Sequence, residues 1–312
     1  MRVSPKLRLL LLSALFFGVS AVSSAQVNVS ITVAPPALPV YAQPPCPVEG
    51  YLWTPGYWAY GPAGYYWVAG AWIAPPQVGF LWTPGYWAFI GGFYRWHPGY
   101  WGPHVGYYGG INYGFGYSGV GFYGGRWDGG VFRYNTAVMR VGPGFHGVYE
   151  DRTVIVNNTT VINRTSFNGP GGITAQPTAQ ERAAMNEQHV KRTQDQISHQ
   201  RFASQDRGNW ASENHGAPLH PEGMGVNERQ VRQQNRIANG DKSGQLTKGE
   251  TKRIQRNEAG IHNEVRNDRA ANGGKLTPEE HRQVEAQQNM ESRQIYRDKH
   301  NGRTEGHPHG EK

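Results

Sequence analysis

Between residues 50 and 101 the apolar positions are mostly aromatic and recur in one frame. Trp53, Trp58, Trp67, Trp72, Trp82, Trp87, Trp96 and Trp101 bracket Gly56, Gly70, Gly85 and Gly99 in four copies of Trp-x-x-Gly-x-Trp. The first Trp of each copy lies 14, 15 and 14 residues after that of the copy before, which marks an internal repeat. In two copies the centre reads Thr54-Pro55-Gly56-Tyr57 and Thr83-Pro84-Gly85-Tyr86. Pro in second place fixes φ and Gly in third place accepts a positive φ, so the pattern predicts a type II turn. Such a turn would set Trp53 directly opposite Trp58 across a tight bend between short strands. The second copy has Val68-Ala69 where the others have a residue followed by Pro, so the Trp pair and the Gly define the unit. One unit alone buries too little to offset its ordering entropy. The copies are therefore expected to share one continuous sheet core with Tyr66, Phe80, Tyr94 and Val68.

The flanking patterns differ. Val27 to Val33 alternates apolar and polar with period two, predicting a short strand, and the Pro-rich remainder of 26–49 reads as an extended linker. In the Gly- and aromatic-rich stretch 102–170, Tyr113-Gly114-Phe115-Gly116-Tyr117 predicts a strand with three aromatics on one face. Ala137–Val141 and Val148–Asn163 read as further strands, the latter folded at Asn157-Asn158.

Charge then divides the chain. Residues 26–170 carry six basic and four acidic side chains, whereas 171–312 carry 22 and 19. Residues 171–225 are too polar to build a core and read as a largely disordered linker, with a short helix from Thr178 to His199 begun by the capping box of Thr178 and Glu181. Residues 226–301 are helical by pattern, marked by Val231 and Ile237, by Ile254, Ile261 and Val265, and by Val284 and Ile295. Thr247 with Glu250 and Thr277 with Glu280 form two more capping boxes. These thin apolar stripes predict a small, weakly packed helical hairpin or helices that need a partner, and 302–312 a disordered tail. The fold class expected is α+β in separate segments: an aromatic-rich antiparallel β-repeat N-terminal domain, a disordered linker and an α-helical C-terminal segment.

Residues 1–25 read as a secretory signal peptide: Arg2, Lys6 and Arg8, then an apolar run from Leu9 to Val19, then small residues before Gln26. Its removal lowers the net charge from +8 to +5, too little for a nucleic-acid footprint. The run is too short to span a bilayer, so after cleavage the chain is not expected to be an integral membrane protein. The single cysteine, Cys46, excludes an intrachain disulfide.

The Trp frames resemble those of the bacterial WXXGXW-repeat (YXWXXGXW) exported proteins. The stretch from Ser166 to Ile173, with Pro177, Thr178 and Glu181, looks like the segment that follows the repeats in that family. The resemblance implies export and carries no established biochemical activity.

Candidate chemistry is sparse. Asn239 to Glu250 places oxygen ligands at loop positions 1, 3, 5 and 12, Gly244 at 6 and Leu246 at 8, and so resembles a degenerate calcium-binding EF-hand loop. Thr247 and Glu250 are equally accounted for by helix capping, and the second loop, Arg269 to Glu280, lacks ligands at positions 1 and 3. Calcium is the only cofactor that enters, as an alternative to a structural helix-loop-helix. The repeat aromatics have two readings, a sheet core or an exposed row that stacks on envelope polysaccharide or peptidoglycan. His97 and His104 flank the last copy as possible ligands or as ordinary turn residues. No frame for a nucleophile, a phosphate loop or a metal centre is present, and no catalytic residue is nominated. The functional expectation is an exported, non-catalytic structural or interaction protein of the bacterial envelope, located in the periplasm, at the outer membrane or outside the cell. Its partner would be a polysaccharide, peptidoglycan or a protein.

Overall fold

The computed structural model describes residues 31–142, 144–153, 164–218 and 225–304. The expected signal peptide and the Asn157-Asn158 hairpin lie outside them.

The repeat region is built from eight strands: β1 (Leu52–Thr54), β2 (Tyr57–Gly61), β3 (Gly64–Val68), β4 (Ala71–Ile73), β5 (Leu81–Thr83), β6 (Tyr86–Ile90), β7 (Phe93–His97) and β8 (Tyr100–Gly102). β2 pairs with β3 and β1 with β4, so the first two Trp frames form one long hairpin bent at Gly56 and Gly70. The last two form a second, with β6 on β7 and β5 on β8. Chain reversal occurs at Pro62-Ala63 and at Gly91-Gly92, outside the motifs. The positive φ of Gly91 (62°) and Gly92 (85°) is what a primed two-residue turn demands.

The pairing within a motif that the Thr-Pro-Gly-Tyr centre predicts is therefore not formed. Trp53 opposes Trp72 and Trp58 opposes Trp67; likewise Trp82 opposes Trp101 and Trp87 opposes Trp96. Two motifs make one structural repeat. Nor do the strands join in one continuous sheet: they lie in separate small ladders, and the indoles between the ladders make the core common to both repeats.

Three short elements close the β region. β9 (Asn112–Gly114) and β10 (Tyr117–Ser118) form a tight hairpin turning at Phe115 (φ 50°) and Gly116 (φ 88°). Phe115 therefore does not share a strand face with Tyr113 and Tyr117 as alternation suggested; it packs on Tyr41 and Trp53 instead. Tyr117 turns inward and donates to the Trp82 carbonyl at 2.8 Å and to that of Trp53 at 3.4 Å, joining the two repeats. β11 (Gly125–Asp128) and β12 (Val131–Asn135) form a hairpin to which β13 (Val148–Tyr149) adds in parallel. Ala137–Val141 is not a strand and makes only an isolated bridge from Val141 to Cys46. β14 (Phe167–Asn168) lies parallel to β6.

The Pro-rich segment is a strap rather than a linker. Main-chain carbonyls of this segment receive side-chain donors of the first repeat: Trp58 Nε1 on Ala37 O at 3.1 Å, Trp72 Nε1 on Pro44 O at 2.8 Å and Tyr65 Oη on Val33 O at 2.9 Å.

Residues 171–225, expected to be largely disordered, contain α1 (Ala179–Ala184), α2 (Gln194–Gln205), a 3-10 turn (Arg207–Asn209) and α3 (Ala211–Asn214). Thr178 and Glu181 form the expected capping box, and Thr193 with Gln196 a further one. The helix expected over 178–199 is thus broken into two. Sparse apolar residues suffice because α2 docks through polar groups on the repeats.

The chain ends in α4 (Val226–Lys242), α5 (Lys248–Ala271) and α6 (Pro278–Lys299), which form a three-helix bundle. Its core is in two pieces, one around Val226, Ile261, Val265 and Val284, the other around Ile237, Leu246, Ile254 and Ile295. Buried Gln233, Glu258, Gln288, Glu291 and Ser292 lie among the same helices. Among the described residues no helix is long and apolar enough to cross a membrane.

Candidate functional site

The repeat residues singled out by sequence come together in a reciprocal arrangement. Each opposed Trp pair meets edge-on or tilted, with ring centroids 5.2 to 5.3 Å apart, a geometry that contributes roughly 0.5–1.5 kcal/mol beyond burial. The first Trp of each motif lies on the Gly of its partner motif. A Cβ on Gly56 would stand 2.3 Å from the Trp67 ring and one on Gly70 2.2 Å from Trp53; Gly85 with Trp96 and Gly99 with Trp82 repeat this at 2.5 Å. None of these four glycines has a positive φ. The motif needs Gly for close approach of an indole, not for the left-handed backbone of a type II turn.

Seven of the eight repeat indoles are buried, and Trp96 is half-buried, stacked on Tyr57 at 5.1 Å. The two repeats are tied by Trp87 Nε1 donating to Trp58 O at 2.7 Å. A narrow cleft lies between the bends, bordered by Pro55, Pro84 and Gly99 and covered by Arg192, Gln196 and His199. Trp101 Nε1 donates to Gln196 Oε1 at 2.8 Å, and Gln200 receives Tyr57 Oη at 3.2 Å while donating to Tyr66 at 3.0 Å. Trp210 packs on Tyr66 with centroids 4.9 Å apart. The polar segment thus covers this face of the repeats.

His199 is the joint of the molecule. It is buried, with Nε2 donating to Ala69 O at 2.6 Å and Nδ1 against Glu228 of α4. Desolvation lowers its pKa, but the Glu228 charge and hydrogen bond and the Ala69 carbonyl outweigh it, so the imidazolium is favoured above the usual histidine range. A lone His in a polar stretch offered no sequence signal for this role.

The other candidates separate. His97 stacks on Tyr86 at 4.6 Å, whereas exposed His104 pairs with Glu187 at 2.8 Å. Among the described residues no group of three or more His, Cys, Asp or Glu is placed to hold a metal ion. The EF-hand frame does not form a metal loop: Asn239 to Lys242 complete α4, and Asp241 accepts from Thr251 at 3.2 Å. Glu250 is held by its capping box and by Asn301. Gly240, the second residue of that frame, serves packing, because a Cβ there would stand 2.7 Å from buried Leu246. Cys46 is buried, its thiol donating to Val48 O at 3.1 Å, and burial pushes its pKa up.

Comparison with known proteins agrees with the geometry. The WXXGXW repeat matches the chain in two copies, at residues 50–72 and 78–102. The chain carries the WXXGXW repeat. Each matched copy covers one bent double-motif hairpin, β1 to β4 or β5 to β8, and so contains a pair of Trp frames. No curated protein and no solved structure matches it.

Proposed function

We propose that this protein is an exported, non-catalytic interaction protein of the bacterial envelope, with the two repeats as its rigid aromatic scaffold. The burial of seven repeat indoles in opposed pairs carries this reading. Side chains spent on the core hold a shape, and the surface offered to partners is made by what folds over them. Polysaccharide or peptidoglycan stacking on the repeats themselves would have only Trp96 to use among these indoles. Export is supported by the basic, apolar and small-residue succession of residues 1–25. Cell fractionation with N-terminal sequencing tests it. A product beginning at Gln26 in the periplasm, outer-membrane fraction or medium is expected, and a full-length cytoplasmic product would overturn it.

A further inference from the structure

The helical bundle turns its negative charge inward. Residues 226–301 carry 15 Lys and Arg against 11 Asp and Glu, a small excess. Five of the carboxylates, Glu228, Glu250, Glu258, Glu291 and Asp298, are buried, whereas Arg232 is the one buried cation among the described residues. The accessible surface of the bundle therefore holds fourteen basic side chains against six acidic ones. The repeat region adds little to this field, with six basic and four acidic side chains over residues 26–170.

α5 carries the segregation furthest. Ile254, Ile261 and Val265 define its inward side. At about 3.6 residues per turn, Lys248, Lys252, Arg256 and Arg266 fall on the opposite side, with Ala259, Asn263 and Ala270 among them, and all seven are exposed. The four carboxylates of the helix point elsewhere. Glu250 closes the capping box and accepts from Asn301, Glu258 is buried, Glu264 accepts from Gln283 and Gln287 of α6, and Asp268 lies in the field of Glu264 and Glu280. Arg253, on the flank, is answered by Asp298 at 2.6 Å. Lys252, Arg256 and Arg266 have no hydrogen bond or ion pair among the described residues. α4 and α6 are the helices beside the repeats, where Arg236 lies over the Tyr51 ring, and the outer side of α5 is left uncovered.

The row from Lys252 to Arg266 runs about 21 Å along the helix. Nothing large stands between the cations, and a Cβ on Gly260 beside them would meet only open space. With no apolar side chain larger than Ala, this side of the helix can lie flat on a plane but has nothing to insert into it. A convex row of unanswered cations complements a continuous layer of phosphates, which needs no groove to hold it.

We propose that the outer side of α5 docks the protein on an anionic lipid bilayer, with Lys252, Arg256 and Arg266 on the lipid phosphates and Lys248 at one end of the row. The contact stays at the headgroups and calls for no spanning helix. It gives the envelope protein proposed above the surface that holds it, and to that extent rests on that reading. Vesicle binding by the purified chain is measured apart from its export, so the failure of either is seen separately.

Flotation of the full mature chain with vesicles of phosphatidylglycerol and phosphatidylethanolamine, and with phosphatidylcholine vesicles, tests it. Each basic side chain near an anionic surface strengthens binding roughly 5-fold. Replacing Lys252→Gln, Arg256→Gln and Arg266→Gln together should therefore weaken partitioning onto the anionic vesicles by about 100-fold. The unaltered chain should bind phosphatidylcholine barely at all and should leave the anionic vesicles at about 0.5 M salt. A second triple variant, Arg95→Gln, Lys191→Gln and Arg201→Gln, removes the same charge from exposed positions elsewhere and should bind close to wild type. All six side chains are exposed, and circular dichroism verifies that both variants fold. No binding to anionic vesicles, equal binding to neutral ones, equal losses in the two triple variants, or a preference for soluble polygalacturonate over the vesicles would overturn the assignment.

Discussion

The repeat domain and the helical bundle solve the problem of an interior in opposite ways. In the repeats, indoles meet in opposed pairs and rest on glycines, and those of Trp58, Trp72 and Trp87 donate to the main-chain carbonyls of Ala37, Pro44 and Trp58. In the bundle, the apolar residues divide into two small clusters, and buried Gln233 bonds to the Gln288 carbonyl and to Ser292, while Gln288 bonds to the Val226 carbonyl. The first interior depends on shape, because an indole tolerates no added atom beneath it. The second depends on charge state, because Glu258 and Glu291 are both buried there, each with one oxygen lacking a partner.

The contrast is sharpest at glycine. Gly70→Ala puts a methyl 2.2 Å from the Trp53 ring and should destabilise the repeat domain by about 3 kcal/mol or more, read by denaturant unfolding monitored through Trp fluorescence. An unchanged midpoint would refute the close-approach account of the motif.

The joint comes next in size. His199→Ala leaves Glu228 buried without its partner, and a loss of roughly 2–3 kcal/mol is expected. Because its folded pKa is raised, the His199 contribution is complete below the unfolded value near 6.5 and is lost as pH rises through the folded value. Unfolding midpoints of wild type and variant should therefore converge toward alkaline pH; parallel profiles would break the link between the two regions.

Within the bundle, desolvation first and the neighbouring Glu291 second push the Glu258 carboxyl up to about 7, with Arg236 opposing. A folded pKa above the unfolded one contributes stability that is present below about 4.5 and disappears as pH rises through 7. Helical ellipticity should thus melt higher at pH 5 than at pH 8. Glu258→Gln should remove most of that dependence and stabilise the bundle at pH 8 by on the order of 1–2 kcal/mol. A variant as pH-sensitive as wild type would place the titration elsewhere.

The smallest effect has the opposite sign to the first. Gly260 sits inside α5 with nothing near its missing Cβ, so Gly260→Ala should stabilise by about 0.5–1 kcal/mol, measured by thermal melting followed at 222 nm.

How legible this was varies by element. The Trp frame, the charge boundary and the capping boxes at Thr178, Thr247 and Thr277 are local and could be read along the chain. The pairing of the frames could not. A five-residue Trp spacing suits a hairpin within a motif as well as a bend in a longer one, and only the register of Trp53 with Trp72 and Trp58 with Trp67 distinguishes them. Residues 178–210 were hidden for another reason, since polar residues such as Gln196 and His199 dock on the repeats by hydrogen bonds that leave no apolar period.

The amino-acid order settled the repeat frame and where three of the helices start, because aromatic periodicity and capping act over a few residues, and it left open whether the indoles are core or exposed. It also settled that Gly must stand at positions 56, 70, 85 and 99, though for a reason it did not reveal. Only the tertiary fold decided that each of those glycines lies under an indole from the partner motif. It also decided that the strap supplies indole acceptors. Those relations depend on long-range packing, and neither spacing nor propensity along the chain encodes them.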